Sequence, residues 1–340
     1  MADDPWILTL NAGSSSLKFA AFTPDCTKIA SGQVTDNVQE ALARLNMPHP
    51  PEAIGHRVVH GGSRNAPVQI TPDIRAEIEA TSTLAPLHNP PALKVIDAVS
   101  ALYPSVPQFA CFDTAFHANN PLEATTIPIP RTLRGQGIRR YGFHGLSYAS
   151  LVRRFELVTS ATLPRRVLAF HLGAGASLAA IVDGVGVATT MGFSPMDGLV
   201  MATRAGAMDT GVVLHLMREH DMSADAVETM LNKQSGLAAM AGTPDMKEIL
   251  DSEDPNASFA ISYYCYWISR HAGSMIAAMQ GVDGFLFTGG IGENAAPIRE
   301  QILDRLTWAG ELPNWVIPAD EEGEIAHAAQ DLLFASKIEN

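Results

Sequence analysis

Residues 7–17 read Ile7-Leu-Thr-Leu-Asn-Ala-Gly-Ser-Ser-Ser-Leu17, and residues 167–178 read Val167-Leu-Ala-Phe-His-Leu-Gly-Ala-Gly-Ala-Ser-Leu178. Each is an apolar run, a turn of small residues and a second apolar run, which is the sequence form of a β-hairpin. With one residue inserted in the second turn, strand matches strand and turn matches turn. The match extends outward: Ile7–Leu10, Leu17–Phe22 and Lys28–Val34 form a meander that Arg166–Phe170, Ser177–Val182 and Val185–Thr190 repeat. An internal duplication is the simplest account. The length agrees, since 340 residues at roughly 150 per domain gives about two domains.

Between and after the meanders the periodicity predicts strands at Ala53–Val59, Gln108–Phe112 and Gly284–Phe287, and helices at Asn37–Leu45, Pro91–Leu102 and Leu146–Phe155. The second half is helix-rich, with Gly211–His220, Ala224–Leu231, a long Ala257–Met279, Pro297–Trp308 and a closing Asp320–Ser336. Arg131–Gly145, rich in Arg and Gly, suits a loop over an anionic ligand.

Lys and Arg number 23 against 36 Asp and Glu, a net charge of −13, and no basic block reverses that sign locally, so nucleic acid is not an expected partner. Cys26, Cys111 and Cys265 are too few and too far apart for a disulfide framework or a four-ligand zinc site, which fits a reducing cytoplasm. The acidic start Met1-Ala-Asp-Asp-Pro lacks the form of a signal peptide, and no apolar run reaches the ~20 residues of a spanning helix, so no membrane association is expected.

The small residues of Asn11-Ala-Gly-Ser14-Ser-Ser16-Leu-Lys18 let backbone N–H groups and hydroxyls approach a phosphate, with Lys18 adding a charge. His171, Leu172, Gly173, Ala174 and Gly175 offer the same chemistry. Two such clamps from duplicated halves imply a nucleotide held in a cleft between two domains. In Gly55-His-Arg57-Val-Val-His-Gly-Gly62 an interior strand arginine either faces an anion or forms a structural salt bridge. Asp113 ends an apolar strand, where a ligand-facing acid or a turn-forming one emerges in α/β proteins. Arg140-Tyr-Gly-Phe-His144-Gly and Thr203-Arg204-Ala-Gly set donors beside glycine, and Phe287-Thr-Gly-Gly290-Ile291-Gly292-Glu293-Asn294 reads as strand, glycine turn and helix N-terminus against a nucleotide. Clamps, cationic donors, one acid and a glycine turn together describe phosphoryl transfer better than any other reaction class.

At these residues the sequence resembles the acetate kinase family. The resemblance runs from Leu8 to about Ile325 and rests on the motifs above with Ala85-Pro-Leu-His-Asn-Pro-Pro, Phe112-Asp-Thr-Ala-Phe-His, Tyr141-Gly-Phe-His-Gly and Met191-Gly-Phe-Ser-Pro, in the family's order. It implies an α/β chain of two duplicated actin-like (ribonuclease H-like) domains with a nucleotide cleft between them. Residues 1–117 with about 323–340 would form the N-terminal domain, and 118–322 the nucleotide-binding one. The implied reaction is reversible, Mg²⁺-dependent transfer of the ATP γ-phosphoryl group to acetate, giving acetyl phosphate and ADP, in a homodimer. A propionate or other short-chain acyl kinase, or a nucleotide-binding relative without turnover, are the alternatives.

By matching positions, Asn11 and Glu321 would hold Mg²⁺, and Ser14, Ser16 and Lys18 would contact nucleotide. Arg57 would bind the carboxylate, Asp113 would be the active-site acid, and His144 and Arg204 would neutralise the phosphoryl group in flight. Val59, Leu87, His88, Phe143 and Pro195 would bind the acyl group. His171 to Gly175, Asp245, Met246, Lys247 and the run Gly290 to Asn294 would bind nucleotide. The sequence departs from the family pattern at Ala174, where an Asn is usual, and at Lys247, where an Arg is usual. The first departure predicts weakened nucleotide binding.

Overall fold

A computed structural model of the chain describes residues 5–13, 16–35 and 37–338, with residues 337 and 338 described through their backbone alone. The chain divides into two units, one holding the residues up to Ala118, Phe143–Ser150 and the chain from Asp320 on, the other holding Asn119–Gly142 and Leu151–Ala319.

The first unit is built on strands β1 (Ile7–Ala12), β2 (Leu17–Phe22), β3 (Lys28–Val34), β4 (Ala53–Val58), β5 (Val68–Gln69) and β6 (Gln108–Phe112), in the order β3-β2-β1-β4-β6-β5. The meander β1-β2-β3 is antiparallel, whereas β1, β4 and β6 run parallel. Alternation along β1 sends Leu8 and Leu10 to one face, where they pack with Phe19 of β2 and with Ala41, Val95 and Val99 from helices Val38–Leu45 and Asn89–Leu102. Ile7 goes to the other, under Ala326, Ala329 and Leu333 of helix Glu321–Ile338. Asn37 caps the first of these helices by accepting from Glu40 N–H at 3.1 Å.

The second unit repeats the pattern with β7 (Arg166–Leu172), β8 (Ala176–Val182), β9 (Val185–Thr189), β10 (Gly284–Thr288) and β11 (Asn314–Val316), ordered β11-β10-β7-β8-β9. Again an antiparallel meander leads, and its first strand takes a parallel neighbour that takes another. The long helix Pro255–Met279 lies against β8, burying Ala260, Tyr264, Ile268, Ala272 and Ile276 at helical spacing. Among the described residues no helix is long and apolar enough to cross a membrane.

The structure corrects several sequence readings. Phe143–Ser150 packs with the first unit, not the second, because Gly145 N–H donates to the Asp113 carbonyl at 3.0 Å and the missing side chain lets the two backbones approach. The second hairpin turn is tighter than the first, not longer: Ala12 pairs with Leu17, but Leu172 pairs with Ala176, and the extra residue lengthens β8. Arg131–Gly145 opens as a short helix, Arg131–Arg134. The glycine turn after β10 is itself a short helix, Gly289–Asn294.

Candidate active site

Side chains alternate along a strand, so Ile7, Thr9 and Asn11 share one sheet face. The parallel register sets Thr9 opposite Gly55 and Arg57 opposite Cys111, so Gly55, Arg57, Phe109 and Cys111 lie on that face too. Helix Glu321–Ile338 covers it, and comes close because Gly55 has no side chain to collide with Ile325. Asn11, Arg57 and Asp113 therefore emerge at the carboxyl ends of three neighbouring parallel strands, β1, β4 and β6, beside the first turn of that helix.

The side chains form one connected cluster. Arg57 Nε and Nη2 donate to Asp113 Oδ2 at 3.1 and 2.6 Å. Its Nη1 donates to Asn11 Oδ1 at 3.1 Å and lies 3.8 Å from Glu321 Oε2. Asn11 Nδ2 in turn donates to Glu321 Oε2 and Glu322 Oε1, each at 3.1 Å. Glu322 escapes the sequence reading, although the acidic pair opening a helix is the signal that could have found it. Burial pushes the Asp113 carboxyl up, against the pull of the Arg57 charge and hydrogen bonds. Burial also opposes the Arg57 charge, but Asp113, then Glu321 and Glu322, hold the guanidinium above its ordinary value. The Glu321 and Glu322 carboxylates are oxygen donors that suit Mg²⁺, which takes one or two carboxylates and completes its shell with water and phosphate; Asn11 turns its Nδ2 toward both of them, its Oδ1 being held by Arg57. Among the described residues no group of three or more His, Cys, Asp or Glu could hold an ion by itself.

Lys18 stands directly opposite Asn11 in the β1–β2 ladder and is exposed. The Ser16 carbonyl accepts from Gly13 N–H at 2.8 Å and closes the turn, while Ser14 lies outside the described residues. His144 is half-buried with φ +58°, immediately before helix Gly145–Thr159. Val59 and Phe143 are buried, Phe143 against the His60 ring, and Leu87, exposed, and His88, half-buried, sit in the turn that starts helix Asn89–Leu102. Of the expected acyl-binding residues only Pro195 belongs to the second unit, where its carbonyl accepts from Arg204 Nη1 at 3.1 Å.

In the second unit the hairpin turn and the glycine helix meet. A side chain on Gly289, at φ +79°, would come within 2.7 Å of the Leu172 carbonyl, and a Cβ on Gly173 would sit 3.6 Å from Gly290 N. Beside them opens a cleft of about 710 Å³ lined by Gly173, Ala174, Asp245, Met246, Lys247, Gly290, Ile291 and Asn294, with Ala202, Pro244, Leu250, Asp251, Ala295 and Pro297, which the sequence reading does not single out. Its apolar walls can take a flat ring and its glycine backbone a polar group.

Several of the expected nucleotide contacts are engaged within the protein. Glu293 Oε1 accepts from Gly289 N–H and Ala319 N–H, both at 3.0 Å, so this side chain ties backbone together. Gly292 is buried behind the turn near Leu172, Gly175 closes the turn through its carbonyl, and His171 is half-buried at the strand end. Asp245 Oδ1 accepts from Lys247 N–H at 2.8 Å as a helix cap.

The acetokinase family model matches residues 48–314. An acetate kinase of Rhodopseudomonas palustris is 39% identical over 383 aligned positions, covering 94% of this chain and 96% of that protein. Among solved structures, a propionate kinase from Francisella tularensis superposes with TM-score 0.90 at 32% identity, over 96% of this chain and 99% of that one. A Porphyromonas gingivalis acetate kinase gives 0.88 at 30% identity, over 97% and 100%.

Proposed function

This chain belongs to the acetokinase family, and from that membership we propose that it is an acetate kinase, transferring the γ-phosphoryl group of ATP reversibly to the carboxylate of acetate. Acetate is ionised near neutral pH, so the acceptor needs no strong base. The protein's part is to hold donor and acceptor in line and to neutralise charge. The observation that carries the reading is the Asn11–Arg57–Asp113–Glu321 cluster at the strand ends.

Asp113 holds the plane of the Arg57 guanidinium, leaving further N–H groups on Nη1 and Nη2 for the substrate carboxylate or acyl phosphate. Asp113, already engaged by Arg57, acts as an organiser of the site and not as a proton acceptor. Asn11 and Glu321, with Glu322 beside them, would hold Mg²⁺, which when bound screens the phosphate oxygens. His144 and Arg204 are assigned to charge on the transferring group, and Lys18 to nucleotide phosphate. The second-unit cleft around Ala174, Met246 and Ile291 is assigned to the nucleotide, its apolar walls against the base.

Trapping acyl phosphate with hydroxylamine tests the proposal. Acetate and ATP should yield product only with Mg²⁺, and the same assay with propionate and butyrate ranks the acids, since one methylene is worth only ~1–3 kcal/mol of discrimination. Undiminished product in excess chelator, or none from any short acid, would refute it.

A further inference from the structure

After β6 the chain turns through Asp113-Thr-Ala-Phe-His117, and His117 is fully buried. Its Nε2 lies 2.9 Å from the carbonyl oxygen of Phe143. A carbonyl only accepts, so Nε2 carries the proton and donates, and Nδ1 is left as a bare acceptor. Among the described residues nothing hydrogen-bonds to Nδ1. The ring packs edge to face with Phe116 and Tyr148, at 5.4 and 5.8 Å. Leucine or phenylalanine would fill this space without burying an unpaired nitrogen. Neither could donate to Phe143.

The next residue is His144, whose φ of +58° is one that side chains other than glycine rarely adopt. Such a backbone persists where its surroundings over-determine it. Hydrogen bonds on both sides do so here: His117 Nε2 to the carbonyl of residue 143, Gly145 N–H to the Asp113 carbonyl at 3.0 Å, and Leu146 N–H to the Asp113 carboxylate. All originate in the turn 113–117.

We infer that His117 is a positioning residue: by holding the Phe143 carbonyl it fixes the 143–144 peptide and sets the direction in which His144 presents its ring. The inference rests on the proposed role of His144 at the transferring phosphoryl group. Burial pushes the His117 imidazole down to about 4, so it stays neutral, with its single N–H on Nε2, through the neutral pH range.

The test combines His117→Leu, His117→Gln and His117→Asn with intact His144 and with His144→Ala. Gln places an N–H near the former Nε2, Asn is too short to reach Phe143, and Leu keeps only the volume. With His144 intact, the Leu and Asn variants should lose about 10- to 100-fold in kcat, the scale of a group displaced by ~1 Å. KM for ATP and acetate should stay within about twofold, and Gln should recover most of the rate. On the His144→Ala background the same changes should matter by less than about twofold, because the residue they position is gone. Should the Leu variant fail to fold by circular dichroism, the contrast of Gln with Asn carries the test. Additive losses on the His144→Ala background, or a Gln variant as slow as Asn, overturn the inference alone. A fully active His144→Ala protein overturns the role of His144, and the inference with it.

Discussion

Replacing Arg57 by Met and Asp113 by Leu, singly and together, separates what this pair does for the fold from what it does for the reaction. The side chains are 16% and 1% exposed and 2.6 Å apart. Removing one partner of a buried pair costs about 3–5 kcal/mol, because the other charge is left in the interior. Here the low end applies, since Arg57 would keep Asn11 and Glu321 would remain 3.8 Å away. Each single variant should therefore lose about 3 kcal/mol. The double variant removes both charges together and strands only polar partners, the Asn11 amide and Leu146 N–H, at roughly 1–2 kcal/mol. The cycle predicts a coupling energy of about 4–5 kcal/mol, measured as shifts of the urea midpoint at constant slope. Activity should not follow stability. All three proteins should lose at least ~100-fold in kcat/KM, about 2.7 kcal/mol of transition-state stabilisation. A coupling below about 1 kcal/mol would refute the buried-pair reasoning, and a double variant that regains turnover with stability would show that the pair serves the fold alone.

The buried histidines His56, His60 and His117 are each pushed down to about 4 by burial. The unfolded chain therefore takes up protons first, and stability should be constant above about pH 6.5 and fall toward pH 4 by ~1.4 kcal/mol per pH unit per histidine. His56→Leu should remove one such increment from the slope; an unchanged slope in urea titrations at pH 7, 6 and 5 would sink this account. Gly289→Ala should destabilise the second unit by about 1–3 kcal/mol, since a Cβ at φ +79° meets the Leu172 carbonyl. Gly290→Ala, which faces open space, should melt like wild type; equal midpoints for the two would contradict the turn geometry. Ala174 lines the second-unit cleft, and Ala174→Asn should lower KM for ATP by about tenfold through one added hydrogen bond to a charged group. KM for acetate should barely move, and loss of ATP use would mean that the turn serves another donor.

Much of the site was legible one strand at a time. Alternation is a local steric property of the extended chain, so the parity of Ile7, Thr9 and Asn11, and of Gly55 and Arg57, needs no knowledge of the rest of the molecule. Hairpin periodicity likewise exposed the duplication, and the matching strand orders of the two sheets agree with it. Partner choice was different in kind. Which helix covers a sheet face is set by non-directional burial of apolar surface gathered from the whole unit, and only the packing of Ile7 and Phe109 under Ala326 and Ala329 brings Glu322 to Asn11. The same holds for Glu293, whose sequence neighbourhood suggests a nucleotide contact but whose carboxylate is claimed by the N–H groups of Gly289 and Ala319. It holds again for His117. The sequence marks it as the last residue of a strand-end motif, and the tertiary structure decides that its one donor meets the Phe143 carbonyl, because buried polar groups must take whatever partners the fold places within reach.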